Sequence, residues 1–509
     1  MKDHQVRVWD PTDIHPRQEE LAWKIAEYAI SRPPINSDVS EMVRCRIIDN
    51  ASVALAAINR PSVKSARAMA LAHPRSGGGS LFGIPHNVTV HAEWAAWANA
   101  TTVRELDFHD TFLATDFGHP GDNIPPLVAC AQQTGKSGAE LIRAISIAYE
   151  VHVALMKGIG LHVHKKDHVA HLLPGTVAGL GALMQLPLEV IYHAINQAVH
   201  LAFSTRQSRK GQITSWKAYV PGFSGKTAIE ALDRAMRGEG APNPIYEGAD
   251  SIIAWMLDGP DGCYTVSLPE PGEPPRSIME TYTKAYSAEY QAQALIDLAF
   301  EVRENIDLEN VNKIILHTSH HTHSVIGSGS NDPQKFDPMA SRETLDHSAM
   351  YILAVALEDG YWHHEDSYLP ERAIRPETVA LWNKIETCED KEWERRYHDL
   401  DPGQRAFGGR LEVISMDGTT IDASKDVADA HPNGSKPWVW SDYVEKFDDL
   451  TVGIIDVPER DHFIKIVSNL DVGETKDVKE LNPNLPEGKV EDALPTGRGI
   501  FDWINETNF

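Results

Sequence analysis

No two of the four cysteines, Cys45, Cys130, Cys263 and Cys388, stand close enough in sequence to form a C-x-x-C pair. That excludes a Cys-only zinc site and leaves no iron–sulfur ligand set. It fits a reducing compartment better than a disulfide-held secreted scaffold. Positive charge is also short: 47 Lys and Arg stand against 73 Asp and Glu, a net charge of −26. Such a surface repels nucleic acid and anionic membrane, so an anionic ligand needs cations gathered locally. No apolar run approaches the ~20 residues of a membrane helix. The first residues, MKDHQVRVWDPTDIHP, carry no apolar core of a signal peptide. There is no βαβ alternation for a dinucleotide fold. GGGS at 77–80 lacks the Gly-Lys-Ser/Thr ending of a phosphate loop and reads as a linker or a mobile gate. These absences lead to the expectation of a cytoplasmic protein with no nucleic-acid or membrane partner.

At roughly 100–200 residues per domain, 509 residues make two or three domains. Up to about residue 257 the pattern is helical. EELAWKIAEYAI (19–30) has near-helical apolar spacing. SGAELIRAISIAYEVHVALMKG (137–158) opens on a Ser137/Glu140 capping box and stops at Gly158. GTVAGLGALMQL (175–186) is small enough in side chain to pack closely, and LPLEVIYHAINQAVHLAF (186–203) has Pro187 in its first turn. The Pro- and Gly-dense stretch 258–277 marks a linker or a boundary. Beyond it the texture is α+β. We expect helices at 287–302, capped by Ser287, and at 342–360, a strand at 311–318, and a hairpin at 410–424 turning at Asp417-Gly418. Residues 435–450 read as helix again. The acidic stretch after 470 reads as extended over the surface or disordered.

The chemistry-bearing residues are unevenly spread. Residues 105–126, ELDFHDTFLATDFGHPGDNIPP, place Asp107, His109, Asp110, Thr111, Asp116, His119 and Asp122 at the end of an apolar helix. If the helix runs through 111, Asp107 and Thr111 share a face. His119-Pro120-Gly121 forces a turn. This span is either one wall of a pocket or a solvated helix end using Asp and Thr as local caps. Between Glu189 and Glu230 there is no acid, yet Arg206, Arg209, Lys210, Lys217 and Lys226 fall there. That run either binds an anion or pairs with acidic surface elsewhere. Two histidine clusters, LHVHKKDHVAH (161–171) and HTSHHTHS (317–324), lack the H-E-x-x-H pattern, so no metal site is expected and a single catalytic histidine in the first is favoured.

EWAAWANATTVRELDFHDT, DHVAHLLPGTVAGLGALM, ITSWKAYVPGFSGKTAIEA and KAYSAEYQAQALIDLAFEV occur in this order over most of residues 20–360. In them the chain resembles the MmgE/PrpD family. The resemblance implies a mostly α fold, with a large all-helical domain from residues 1–277 and 431–509 and an inserted α+β lid domain at 278–430. It implies a homodimer with no metal or organic cofactor. It implies a small-molecule tricarboxylate substrate, with cofactor-independent dehydration of 2-methylcitrate to 2-methyl-cis-aconitate as the activity. Citrate dehydration and cis-aconitate decarboxylation on the same fold are the alternatives. Matched to the family's motifs, Asp107, Thr111, His119 and His168 are catalytic, Lys217 lies on the Lys-x-x-x-x-Gly motif and Lys284 on a lid lysine. With Arg206, Arg209 and Lys210, these lysines are the expected substrate-binding cations. The Thr111-to-His119 spacing departs from that of the decarboxylase, and Gln291 stands near its polar pocket groups.

That chemistry needs two tools. Cations must neutralise carboxylates and stabilise an enolate-like dianion. A base and an acid must reach the proton and the hydroxyl, and histidine can serve as either. His119 and His168 are the expected pair, with Asp107 orienting one imidazole or holding the hydroxyl and Thr111 donating a hydrogen bond. A non-catalytic helical scaffold whose basic loop binds an acidic partner, and a metal-dependent hydrolase using the histidine clusters, are the readings from other classes.

Overall fold

The computed structural model describes residues 1–12, 14–210, 213–399, 401–492 and 499–502. Among the described residues, nine helices of ten residues or more make the first part of the chain: α1 (Leu21–Ile30), α2 (Ser37–Ala56), α3 (Pro61–Leu71), α4 (Ala92–Arg104), α5 (Ile124–Thr134), α6 (Gly138–Gly158), α7 (Val169–Met184), α8 (Leu188–Ala202) and α9 (Trp216–Met236). The sequence signals for them are met. Ser137 and Glu140 form a reciprocal capping box at α6, and Pro187 stands immediately before α8. Small residues then let the helices close up. A methyl group added at Gly175 or Gly179 of α7 would sit 3.0 or 2.8 Å from the Ala148 or Ala144 carbonyl oxygen of α6. A methyl at Gly222 of α9 would lie 2.7 Å from the Trp97 carbonyl oxygen of α4. The α4–α9 and α6–α7 pairs carry the site described below.

Three expectations for this part are corrected. Residues 258–277 are no mere connector: strand β5 (Cys263–Leu268) pairs antiparallel with the N-terminal strand β1 (Lys2–Arg7), and Val266 and Leu268 enter the helical core. GGGS is not a mobile gate. Strand β2 (Pro74–Gly79) ends in it, and a methyl at Gly79 would stand 2.7 Å from the Ala95 Cβ. Glycine is there for close approach. The acidic stretch after 470 is anchored, since Val478, Leu481 and Leu485 join the helical core and Asn482 donates to the Ser80 carbonyl at 3.0 Å.

The core has two parts. One gathers apolar residues from Val6 to Ile278 and again from Tyr443 to Leu485. The other gathers Ala288 to Val413. The second part is an α+β unit whose sheet runs β7 (Ile385–Glu389), β6 (Val311–Thr318), β8 (Gly409–Ser415), β9 (Thr420–Lys425). β6 and β7 are parallel, and the other two pairings are antiparallel. Helices Gln293–Arg303 and Ala349–Asp359 pack on this sheet, with Leu295, Leu353, Ile314 and Leu411 all inaccessible to solvent. The hairpin turns where expected, with Gly418 at φ 85°. The expected helix at 287–302 begins only at Gln293. Ser287 is no cap: its hydroxyl donates to the Leu106 carbonyl at 3.0 Å and ties the two units together. The fold is mostly α, one large helical unit with a smaller α+β unit. Among the described residues no helix is long and apolar enough to cross a membrane.

Candidate functional site

α4 does not run on to Thr111. It stops at Arg104, and Asp107 takes the left-handed conformation, φ 50°. Aspartate tolerates that region better than most residues, yet such backbone persists only where its surroundings hold it. Here they do. Arg104 forms an ion pair with Asp107 Oδ1. Lys284 Nζ donates to the Asp107 carbonyl and to Oδ1, each at 2.8 Å. Lys217 Nζ stands 2.6 Å from Oδ2. Burial alone would raise the Asp107 pKa; Arg104, Lys217 and Lys284 outweigh it and hold the carboxyl well below its ordinary range. Three cations on one carboxylate leave positive charge in excess in a chain that is otherwise strongly acidic. From the C-terminal helix Trp440–Thr451, Lys446 Nζ donates to the Phe108 carbonyl at 2.7 Å and to the Lys284 carbonyl at 3.0 Å. It fixes both backbones that carry this cluster.

His119 lies at the turn the sequence called for. Its Nδ1–H donates to the Asp110 carbonyl at 2.9 Å, which leaves the Nε2 lone pair 3.7 Å from Asp107 Oδ1. Asp110 holds the turn in place, accepting from Gly121 N at 2.7 Å and from the Tyr149 hydroxyl at 2.9 Å. His168 stands just before α7, its Nδ1 3.3 Å from Asp167 Oδ1 and its buried Nε2 without a hydrogen bond. The two imidazole centroids are 5.6 Å apart. Burial, then Arg104, depresses the His119 pKa well below its ordinary value. Burial, then Arg209, brings His168 down to about 3. Burial and a neighbouring cation thus disfavour the protonated form of both rings.

The other expected residues fall elsewhere. Thr111 is not on a helix face with Asp107. Its backbone bridges Tyr282, and its hydroxyl donates to the Gly118 carbonyl at 3.0 Å. Thr111 thus pins strands β3 (Phe112–Leu113) and β4 (Phe117–Gly118) beside the site. The acid-free stretch does not converge on one anion site. Arg209 donates to both Asp167 carboxylate oxygens, at 3.1 and 3.3 Å, and so braces His168 from behind. Arg206 donates to His162 Nε2 at 3.0 Å. Lys210 is exposed. Lys226 lies over Trp94. Only Lys217 reaches Asp107. The histidine clusters disperse in the same way. His164 faces Asp258 at 3.4 Å, His171 donates to the Ile159 carbonyl at 2.8 Å, and His317 and His320 pair with Glu412 and Glu389.

Sequence reasoning missed what the α+β unit contributes. The expected helix 342–360 is broken into Arg342–Leu345 and Ala349–Asp359, with Ser348 capping the second by accepting from Tyr351 N. The break turns Asp346 and His347 into the site. Asp346 Oδ2 lies 3.4 Å from Lys217 Nζ and 3.4 Å from Arg342 Nη1. His347 Nδ1–H donates to Asp346 Oδ1, and its Nε2 is 3.8 Å from Glu289 Oε2. The signal was present: a charged pair followed by a serine, an N-cap residue, inside an otherwise apolar run. Donor atoms of Asp107, Glu289 and His347 approach one another within 4.8 Å. The ammonium groups of Lys217 and Lys284 already occupy Asp107, so this donor set disfavours a metal ion.

The molecule is therefore of the class in which an α+β unit closes a charged, buried seam against a helical unit. Residues 19–263 match the MmgE/PrpD N-terminal domain and residues 286–472 the MmgE/PrpD C-terminal domain; the chain belongs to the MmgE/PrpD family. It is similar to the mitochondrial 2-methylcitrate dehydratase of Yarrowia lipolytica, at 25% identity over 349 residues, 63% of this chain and 63% of that protein's length. It is also similar to the probable 2-methylcitrate dehydratase of Saccharomyces cerevisiae, at 24% over 450 residues, 81% of each chain. With the 2-methylcitrate dehydratase of Escherichia coli K12 it shares 24% over 357 residues, 64% of this chain and 68% of that one.

Proposed function

We propose that the chain is a hydro-lyase that dehydrates 2-methylcitrate to 2-methyl-cis-aconitate without a cofactor. One observation carries the reading. His119, tied through Nδ1 to a backbone carbonyl, turns Nε2 toward a carboxylate ringed by Arg104, Lys217 and Lys284, and a second imidazole, His168, lies 5.6 Å from it between ring centres with its buried Nε2 unbonded. The names of the similar proteins support it. A tricarboxylate supplies the negative charge that the excess cations lack. Lys217 and Lys284 are the groups we assign to its carboxylates, and to the enolate-like charge that grows when the methine proton leaves. His119 takes that proton on Nε2, with Asp107 alongside to stabilise the imidazolium. His168 lies across from it, as the second imidazole of the pair, and Arg209 and Asp167 hold its orientation. Thr111 acts by fixing the hairpin. A cytoplasmic homodimer with domain limits at 1–277, 278–430 and 431–509 is the form we assign to it.

The test is ultraviolet absorbance of chelator-treated protein, following the new conjugated double bond, with 2-methylcitrate, citrate and cis-aconitate in parallel. A rise with 2-methylcitrate well above that with citrate is expected. No rise with it, together with carbon dioxide release from cis-aconitate, would move the activity to decarboxylation.

A further inference from the structure

Elimination of water has a second half that the helical unit does not supply. When the C–H bond breaks and its electron pair becomes the new double bond, the C–O bond must break as well. Hydroxide leaves slowly unless a proton reaches it. Burial and a nearby arginine lower the pKa of both His119 and His168, and neither has a carboxylate hydrogen-bonded to its ring to favour the protonated form. The α+β unit brings a third imidazole to the same carboxylate, within 4.8 Å of Asp107 and Glu289.

We infer that His347, backed by Asp346, is the general acid that protonates the departing hydroxyl. The assignment rests on the dehydratase reading above. The geometry is that of a carboxylate–imidazole dyad. Nδ1–H is given to Asp346 Oδ1, so Nε2 is the nitrogen left to exchange a proton with a ligand. Of the three imidazoles, His347 alone hydrogen-bonds a carboxylate directly: His119 gives its Nδ1–H to a carbonyl, and His168 stands 3.3 Å from a carboxylate that Arg209 already holds. Burial, then Lys217, lowers the His347 pKa, while Asp346 and Glu289 act the other way. A bound tricarboxylate adds negative charge beside Lys217, the cation that lowers His347 most after burial, and so favours the imidazolium. In the step, His119 Nε2 takes the methine proton and the C–H pair forms the double bond. The C–O pair leaves with oxygen, which takes the proton from His347 Nε2 and departs as water. After the product and water leave, His119 gives its proton to solvent and His347 takes one from it, which restores both rings. The Asp346–His347 dyad reaches the site only because the helix breaks at 346–348, and Lys335 Nζ fixes that break by donating to the His347 carbonyl at 2.7 Å.

A change of leaving group isolates this role. The probe is 2-methylcitrate with fluorine in place of the tertiary hydroxyl, since fluoride leaves as the anion and needs no proton. His347→Gln and Asp346→Asn are assayed on both compounds beside wild type. The expected result is a His347→Gln rate at least ~100-fold below wild type on 2-methylcitrate and within a few-fold of it on the fluoro compound, with Asp346→Asn between the two. Retained defluorination also shows that the variant is folded. Equal loss on both compounds would make His347 a structural residue and overturn the assignment, and equal retention would overturn it as well. A wild type that turns over the fluoro compound but not 2-methylcitrate would contradict the acid itself. A wild type inactive on both would sink the dehydratase reading first and this one with it.

Discussion

The two walls of the site differ in what stands behind their imidazoles. On the helical side, His119 is backed by a backbone carbonyl and crowded by Arg104 and Lys284, and His168 leans on a carboxylate already held by Arg209. On the α+β side, His347 hydrogen-bonds Asp346 directly and faces Glu289. Cations and neutral rings suit holding an anion and accepting a proton. A carboxylate-backed ring suits giving one. Lys217 spans the two walls, 2.6 Å from Asp107 and 3.4 Å from Asp346. On the proposed reading, each unit supplies only part of the site.

Changes can break this comparison, and the largest effect is expected at its centre. Asp107→Asn leaves Arg104 and Lys284 buried without their counter-charge and Lys217 with Asp346 alone. The expected cost is about 3–5 kcal/mol of stability, read as a lower denaturant midpoint, with turnover lost. His119→Gln should separate chemistry from stability. Turnover falls by about 10²–10⁴ while the midpoint stays near wild type; a fall in midpoint like that of Asp107→Asn would erase the distinction between anchor and base. Thr111→Val removes the donor to the Gly118 carbonyl and should cost about 1–3 kcal/mol, and Thr111→Ser should restore it. Acid should act on the helical wall in a set direction. His168 has a folded pKa of about 3 against 6.5 for a free imidazole, so the unfolded chain binds the proton that the folded one refuses. This contribution to stability is full above pH 6.5 and is lost as pH falls from there through about 3, measurable as a dropping melting temperature. Lys210→Ala should be the smallest, within about 0.5 kcal/mol and with turnover unchanged, because its side chain is exposed.

Legibility in the sequence followed the same division. Asp107, His119 and Lys217 sit where local signals and the family resemblance agree, while Lys284, and His168 within its cluster, come from the resemblance alone; the structure places the five near one another. What failed was geometry set by tertiary contacts. The sequence leaves open whether the helix runs past Arg104, because nothing local announces that Asp107 will turn left-handed to meet two lysines more than one hundred residues away. The acid-free stretch read as a single anion-binding run, yet its partners, Asp167 and His162, come from the segment before α7. Asp346 and His347 read as part of one long helix because apolar residues flank them at helical spacing, whereas Ser348 caps a second helix there. The GGGS segment misled for the opposite reason: glycine there permits close packing where flexibility was expected.

The most direct measurement of the central claim is proton abstraction in D2O. Purified wild type and His119→Gln are incubated with 2-methylcitrate, and both deuterium at the methine carbon and the unsaturated product are followed by mass spectrometry. The account predicts product from wild type and at least ~100-fold less methine exchange and product from His119→Gln. Exchange and product at the wild-type rate in His119→Gln would contradict it and place the base elsewhere in the seam.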